Sequence, residues 1–314
     1  MKKQHKIIIT LVLIDIIVLL ICIILYNQLT KDVQDEEQKK AEVPAQEAII
    51  EISNYPNVDA VPNMQDLANA FMKNFTGANV DTSKVKYTNE QAVYKRLTDG
   101  NVDLIIAKEP SKEELDYAAQ KGVELEYTPL VIDAFVFYVN HDNPVYNLSI
   151  EQIKDIYSGR INKWTDVGGS GESIRAFQRN TDNENQQGMI NLVMGNTEMS
   201  SPILEDKSNT DNLSNDIIAD YDNGIDALGY SYYSYAKKIY DEYGNQILDG
   251  IKLLKVNDIK PSYDNIRNNT YPLKTIYYVV TRKGEGESAL KLKNAMLSNR
   301  GKEVAKEAGY VGAK

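Results

Sequence analysis

The stretch that decides the fold is residues 148–189, LSIEQIKDIYSGRINKWTDVGGSGESIRAFQRNTDNENQQGM. Its first part predicts a helix, because Ser149 and Gln152 have the spacing of a capping box and Gly159 follows as a stop. One face of the predicted helix is apolar and consists of Ile150, Ile153, Ile156 and Tyr157. This combination is typical of an amphipathic helix.

The second part of the stretch places an arginine beside a predicted helix start. The apolar run at 174–177 predicts a buried strand, and Arg179 follows it, just before residues rich in Asn and Asp. A second helix is predicted from about residue 185 to residue 194. A helix start offers free N–H groups and the positive end of the helix dipole, and arginine offers a forked cation. Together these residues predict a binding site for an anion.

The order of Trp164, the pair Gly168 and Gly169, and Arg179 resembles the phosphate-binding proteins of bacterial ABC transporters. In that family the arginine precedes a helix that starts with Ser-Gly-Thr or Ser-Gly-Ser. The same positions here are residues 183–185, Asn-Glu-Asn. Other segments resemble the family in the family's order: DGNVDLIIAKEPSKEEL, PLVIDAFVFYVNHDNPVYNLSIEQIKDIYSGRINKW, GYSYYSYAKKIY, GIKLLKV, YPLKTIYYVV and AKEAGYVG.

This resemblance implies an α/β chain with the type II periplasmic-binding-protein fold. Such a fold has two lobes joined by two strand crossings, with the ligand in a cleft between the lobes. We expect one lobe at about 48–133 plus 270–314 and the other at about 134–269.

The residues of the body also predict alternating strands and helices. Strands are predicted at 49–52, 102–107 and 134–139, and helices at 64–75, 92–97 and 112–120. Capping boxes are predicted at Thr88 with Gln91 and at Ser111 with Glu114. This alternation is typical of α/β layers, and we expect mostly parallel sheets.

Composition argues against several classes of function. The net charge of the 314-residue chain is −10, and no basic block follows Lys2, Lys3 and Lys6, so a nucleic-acid partner is not expected. Cys22 is the single cysteine and the two histidines lie far apart, so we expect neither a disulfide within the chain nor a metal site. No nucleophile–base pair, paired-carboxylate motif or cofactor motif is present, which disfavours an enzyme and predicts no cofactor.

The N-terminal residues 7–26 are nearly all apolar and have about the length of a bilayer span. Two interpretations compete, a cleaved signal peptide and an uncleaved signal anchor. The absence of a small-residue cleavage pattern favours the anchor. The sequence therefore predicts a transmembrane helix at 1–27, a linker at 28–47 and a body at 48–314. The protein would be a single-pass protein of the cell membrane, with its body on the extracellular side.

The resemblance also implies which residues line the cleft. The family holds an oxyanion with backbone N–H groups, short hydroxyls, an arginine and a carboxylate. Carried over position by position, these places fall on Asn57, Thr88, Asn89, Lys108, Arg179, Asn183, Glu184 and Asn185. The glycine and hydroxyls of the family's first loop are missing near Asn57, and Lys108 stands where many members have the carboxylate.

Glu184 leaves two interpretations of the cleft open. Pointing inward, its carboxylate repels a phosphate dianion and pairs with Arg179 or Lys108; pointing outward, it leaves the anion site usable. The first candidate function is therefore a membrane-anchored extracellular solute-binding protein that binds phosphate or another small anion and works with an ABC permease. The second is a sensor or scaffold with a degenerate cleft that no longer binds phosphate. The third, an enzyme on the same fold, is disfavoured.

Overall fold

The computed structural model describes residues 49–77, 81, 83–171, 173–181, 183–201, 224–236 and 250–313. The predicted anchor at 1–27 and the predicted linker at 28–47 lie outside this set. Among the residues that are described, no helix is both long enough and apolar enough to cross a membrane.

The described strands are β1 (Val58–Ala60), β2 (Val85–Tyr87), β3 (Leu104–Ala107), β4 (Leu125–Asn140), β5 (Asn147–Leu148), β6 (Arg175–Ala176), β7 (Ala227–Tyr232), β8 (Ile251–Leu253), β9 (Lys255–Val256), β10 (Lys274–Arg282) and β11 (Val311–Gly312). The main sheet runs in the order β2-β1-β3-β10-β4-β7-β6, and β8 and β11 also pair with β4. The short strands β5 and β9 form a separate parallel pair.

The described α-helices are α1 (Gln65–Thr76), α2 (Glu90–Thr98), α3 (Lys112–Gln120), α4 (Ile150–Tyr157), α5 (Glu184–Met189), α6 (Tyr233–Ala236), α7 (Tyr263–Arg267), α8 (Glu287–Leu297) and α9 (Asn299–Glu307). A π-helical turn, Ile190–Met194, continues α5. Short 3₁₀ turns lie at Ile52–Asn54, Pro62–Met64 and Trp164–Val167.

Two main groups of buried apolar side chains divide the body into two lobes. The first surrounds β1, β2 and β3 and includes the buried faces of α1, α2, α8 and α9. The second surrounds β7 and the far half of β4 and includes the buried face of α4. The division falls within β4, where Val131 belongs to the first group and Ile132 to the second. This division supports the predicted lobe boundaries, which stay a prediction.

The crossing between the lobes is made by long antiparallel strands. β4 has 16 residues, pairs with β10 along its first part, and pairs with β7 and β8 along its last part. All four ladders that β4 forms with its described neighbours, including the one with β11, are antiparallel. The expectation of mostly parallel sheets was wrong. Among the strands that the structure describes, parallel pairing is confined to β1 with β2 and β3, to β6 with β7, and to the small pair of β5 and β9.

Two local predictions were also wrong. Residues 49–52 form no strand, because the N–H groups of Ile49 and Ile50 donate to the carbonyl of Phe75, 2.8 and 3.0 Å away, at the end of α1. They satisfy a helix terminus and are not available to a sheet ladder. The predicted cap at Thr88 lies one residue further on, where the side chain of Asn89 accepts from the N–H of Ala92.

The two serine capping boxes are confirmed. At the start of α3, Ser111 accepts from the N–H of Glu114 and the Glu114 carboxylate accepts from the N–H of Ser111. Ser149 and Gln152 form the same reciprocal pair at the start of α4. Each box satisfies two N–H groups that the helix itself leaves free, which explains why both helices start where the sequence predicted.

Candidate functional site

The ends of three parallel strands form one wall of a cleft between the lobes. β1, β2 and β3 run in the same direction, so the residues that follow them meet at one edge of the sheet. Thr88 follows β2, and its N–H donates to the carbonyl of Ala60, the last residue of β1, over 3.1 Å. Lys108 follows β3. In open α/β sheets, ligands bind at this carboxyl edge.

The charges on this first wall already form an ion pair. The N–H of Lys108 donates to the Oε1 atom of Glu90 over 2.8 Å, and the Lys108 Nζ atom lies 3.4 Å from the other carboxylate oxygen. Burial raises the pKa of Glu90, and the nearby charge of Lys108 opposes that rise. Lys108 therefore pairs with Glu90 of its own lobe, and a bound anion would have to share this cation.

The hydroxyl of Thr88 is also in use. Its Oγ1 atom donates to the Oδ2 atom of Asp59 over 2.9 Å, and the same oxygen accepts from the Arg96 Nε atom over 2.6 Å. Asp59 is completely buried in β1. For Thr88 to donate to an anion, its hydroxyl would have to leave the Asp59 carboxylate. Asn89 uses its own side-chain oxygen as the cap of α2, so these two predicted residues serve the fold first.

The second wall is formed by Arg179 and the start of α5. The N–H of Arg179 donates to the Gln186 Oε1 atom over 2.8 Å, which fixes the loop against the helix. Asn183 caps α5, and its side-chain oxygen accepts from the N–H of Asn185 over 2.9 Å. The Asn185 side chain is buried, and its Oδ1 atom has no hydrogen-bond partner among the described residues. Arg179, Asn183 and Asn185 thus lie together, as the sequence predicted.

Glu184 is half-buried and is the first residue of α5. Its negative charge contributes to raising the pKa of Glu90, which belongs to the opposite wall, and of Tyr277 in β10. It acts in the same direction on the pKa values of Tyr232 and Tyr235, although burial is the larger cause for all four groups. A carboxylate directed away from the cleft into water would be screened from these groups. Of the two interpretations of Glu184, these effects support the inward one.

Asn57 lies apart from the other predicted residues. It precedes β1, and its N–H donates to the Asp103 Oδ2 atom over 2.8 Å, while its carbonyl accepts from the N–H of Asp103. Because Asp103 precedes β3, both residues lie at the amino edge of the sheet, opposite the wall that contains Thr88 and Lys108. The structure does not bring Asn57 into the cleft. The assignment failed because the first strand was placed at 49–52, which shifted the loop that follows it.

Asn63, not Asn57, lies in the loop that follows β1. It lies in the 3₁₀ turn after β1, is buried, and donates from its Nδ2 atom to the hydroxyl of Tyr277. Its carbonyl accepts from the Tyr310 hydroxyl over 2.6 Å. Burial raises the pKa of Tyr232, and the neighbouring Tyr277 hydroxyl limits the rise. Asn63, Tyr277 and Tyr232 thus form a chain of polar groups from the first lobe to β7 of the second. The apolar residues Val58, Ala60 and Val61 directly before Pro62 were the signal that would have located this turn.

A buried carboxylate lies next to this chain, at the crossing between the lobes. Asp133 of β4 accepts from the Ser234 Oγ atom over 2.6 Å, from the N–H of Ser234 over 3.0 Å and from the N–H of Ala134 over 2.9 Å. Burial raises its pKa to about 6, and these hydrogen bonds limit the rise. Asp133 is 1% exposed, so no ligand in the cleft touches it in this arrangement.

Trp164 and the neighbouring glycine pair support the fold around the site. The indole is fully buried, and its Nε1 atom donates to the carbonyl of Asp226 over 3.0 Å. A Cβ atom on Gly169 would lie 2.7 Å from the Trp164 Cβ atom, so the turn fits against the ring only because residue 169 is glycine. Trp164 is therefore a core residue.

Comparison with known proteins identifies the family. A family model described as a PBP superfamily domain matches residues 42–300, and the chain belongs to this family. The phosphate-binding protein PstS of Borreliella burgdorferi is 25% identical over 218 residues, which cover 67% of this chain and 72% of the relative. Protein SphX of Synechococcus elongatus is 24% identical over 282 residues, or 86% of this chain and 79% of the relative.

A solved structure supports the architecture. The putative phosphate ABC transporter substrate-binding protein from Clostridium perfringens, solved with bound phosphate, superposes with a TM-score of 0.61 at 19% identity. The match covers 82% of this chain and 98% of that chain. The resemblance found in the sequence is confirmed, and so is the α/β two-lobed periplasmic-binding-protein fold. The family consists of solute-binding proteins, not enzymes.

Proposed function

We propose that the body binds phosphate or another small anion between its lobes, as the solute-binding component of an ABC transporter. The observations that support this proposal are the position of Arg179 beside the capped start of α5 and the cavity that Lys108 lines together with Gln187 and Gly188 of α5. A guanidinium binds oxyanions through two parallel hydrogen bonds, and a lysine adds a second cation. The names of the relatives, phosphate-binding proteins among them, support the same ligand class.

The cleft of this chain is a weak site for a phosphate dianion. Glu184 places a carboxylate where it repels negative charge, and the Lys108 cation is shared with Glu90. Asn183 and Asn185 supply amides where short hydroxyls would donate. We therefore expect low affinity for phosphate in the native body, and higher affinity once the loop is changed.

Calorimetry on residues 48–314 tests this proposal. The unmodified body is compared with the triple variant Asn183→Ser, Glu184→Gly and Asn185→Ser. Removing the inward carboxylate should strengthen phosphate binding at least tenfold, or about 1.4 kcal/mol. Adding Arg179→Ala to the triple variant should abolish the gain. Tight binding by the unmodified body would show that Glu184 does not oppose the ligand.

A second candidate function is a sensor or scaffold whose cleft no longer binds phosphate. It is favoured by the internal hydrogen bonds of Thr88 and Asn89 and by the Lys108–Glu90 ion pair, which together occupy the polar groups of the first wall. If neither the unmodified body nor the triple variant binds phosphate, this second function is preferred.

In the proposed arrangement the body lies outside the cell and residues 1–27 anchor it in the membrane. The apolar run at 7–26 and the basic residues before it support this orientation. Membrane fractionation, with sequencing of the mature N-terminus, tests the anchor. A lipid-modified Cys22 at the mature N-terminus, or a secreted form that starts near residue 27, would contradict it.

A further inference from the structure

A cavity of about 400 Å³ lies between α5 with its π turn and the first half of β10. It borders the anion site, since Lys108 contributes to its wall, and both lobes line it. Gly188 forms part of the helical side, and Tyr232, the last residue of the polar chain across the crossing, also lines it. The cavity therefore continues from Lys108 along β10.

The volume is too large for a small oxyanion. A water molecule takes about 30 Å³ of liquid volume, so the cavity has room for about a dozen waters. Pockets of about 300–1,000 Å³ hold organic ligands of metabolite or drug size. An inorganic phosphate beside Lys108 would leave most of this space to solvent.

The lining suits an organic group. Lys274, Ile276 and Tyr278 alternate along β10 and contribute an amine, an apolar side chain and a phenol ring to one face. Across from them, Asn191 and Leu192 offer an amide and an apolar side chain from the π turn. π-helical turns occur frequently at functional sites. Mixed polar and apolar surfaces of this kind recognise hydroxylated carbon skeletons.

The two lysines of the cavity lie at its opposite ends. Tyr278 pairs with Ala107 in the antiparallel ladder, so Lys108 comes opposite Tyr277. Lys274 is three residues further along β10, a separation of about 10 Å at 3.4 Å per residue. A ligand that reaches from one lysine to the other is therefore elongated.

The charges around the cleft balance. Among the side chains described above and those that line the cavity, the cations Lys108, Arg179 and Lys274 are matched by three carboxylates, which are Glu90, Glu109 and Glu184. Glu184 is close enough to Glu90 for its charge to help raise the pKa of that carboxyl, and Lys108 is held by Glu90. A ligand with one negative charge fits such surroundings better than a dianion, because each added charge meets carboxylates as well as cations.

We propose that the cleft binds a singly charged organic anion, whose anionic group lies against Lys108 and Arg179 and whose organic part fills the cavity between α5 and β10. This inference rests on the proposed function, because it uses the same anion site. The anionic group is an oxyanion that is either a carboxylate or a phosphodiester, and the probes below distinguish the two.

Calorimetry on the full chain in detergent tests the ligand class with three probes. Gluconate represents a hydroxylated carboxylate, glycerophosphoglycerol represents a phosphodiester, and inorganic phosphate is the reference. At least one organic probe should bind ten times more tightly than phosphate. If phosphate binds as tightly as both organic probes, the inference is overturned and the proposed function stands. If none of the three binds, the proposed function fails with it.

The variant Asn191→Trp tests the place of the organic part. Asn191 is exposed and lines the cavity, so an indole there fills space without disturbing a core. It should weaken the organic probe at least tenfold and change phosphate binding less than twofold. Asn196→Trp, at an exposed position outside the cavity lining, is the matched control and should change neither. Lys274→Met should weaken binding of the organic probe and leave the affinity for phosphate unchanged. Equal losses for phosphate and the organic probe in Asn191→Trp would overturn the assignment.

Discussion

Two carboxylates in this molecule, the buried Asp133 and the half-buried Glu90, have raised pKa values for partly different reasons. The pKa of Asp133, at the crossing between the lobes, is raised by burial alone, and hydrogen bonds from Ser234 and Ala134 limit this rise. The pKa of Glu90, on the cleft wall, is raised by burial and by the charge of Glu184, and the Lys108 cation opposes both effects. One carboxylate is enclosed by dipoles of its own fold, and the other lies among charges that a ligand meets.

This difference separates what each proton controls. A proton on Asp133 changes the free energy of unfolding, because no ligand reaches that carboxylate. A proton on Glu90 changes the net charge of the cleft and thereby the affinity for an anion. Asp133→Asn and Glu90→Gln test this separation directly, and Gly188→Ala tests the packing between the two regions. The three follow in order of decreasing expected effect.

The largest effect is expected from Asp133→Asn. Because the pKa of Asp133 rises from 3.8 to about 6 on folding, the folded protein holds a proton between these values that the unfolded chain has lost. The stability that this proton provides is fully present below pH ~4 and is lost as the pH rises to ~6, for a total of about 3 kcal/mol. Asparagine should remove this dependence and stabilise the body at neutral pH. Urea unfolding between pH 4 and pH 8 measures it.

If the free energy of unfolding of the Asp133→Asn protein depends on pH as in the unmodified protein, another group controls the pH dependence. Ser234→Ala is a useful companion variant, because it removes the hydroxyl that donates to Asp133 over 2.6 Å. The pKa of Asp133 should then rise further, and the pH dependence of unfolding should extend to higher pH.

A smaller effect is expected where the crossing meets the cleft wall, at Gly188. A Cβ atom there would lie 2.7 Å from the Phe135 Cε2 atom and 2.9 Å from the Tyr232 hydroxyl. Gly188→Ala should therefore cost about 2 kcal/mol of unfolding free energy, because a well-packed core must shift. Gly171→Ala is the control, since its Cβ atom would meet nothing within 4 Å. Equal melting temperatures for both variants would mean that α5 moves freely over the core.

The smallest effect is expected from Glu90→Gln. The amide can still accept from the N–H of Lys108, while the Lys108 cation becomes available to a ligand. Phosphate affinity at pH 7 should rise about fivefold, or about 1 kcal/mol. Because the pKa of Glu90 is raised, the native carboxylate takes up its proton as the pH falls, and the two proteins should converge at acidic pH. Calorimetry at several pH values measures the difference, and a constant ratio would contradict it.

Local signals explain what the sequence predicted well. The boxes at Ser111 and Ser149 each involve residues three apart, so the chain specifies them without its neighbours. Thr88 and Asn89 are both good caps, and the choice between them depended on Asp59, which holds the Thr88 hydroxyl from another strand. Residues 49–52 look like a strand, yet the carbonyl of Phe75 binds their N–H groups. Tertiary partners decided these two cases.

In the candidate site, too, the sequence predicted the local arrangement and not the contacts between distant segments. Arg179, Asn183 and Asn185 lie within one loop and helix start, so a sequence pattern located them together. The pairing of Lys108 with Glu90 and the direction of Glu184 depend on how two lobes meet, which residue types alone do not encode. Strand direction in the crossing was missed for the same reason, because an apolar run has no direction of pairing.

The length of β4 has a mechanical consequence. A single strand of 16 residues that belongs to both cores, with ladders to β10 on one side and to β7 and β8 further along, lacks the slack of a loop. The register with β10 slips once, between Tyr277 and Tyr278, and an irregularity of this kind locally bends and twists the ladder. We therefore expect the lobes to open by bending of β4 near that point. A connection of this kind should limit how far the lobes separate, so we expect the cleft to admit ligands of a narrow range of widths.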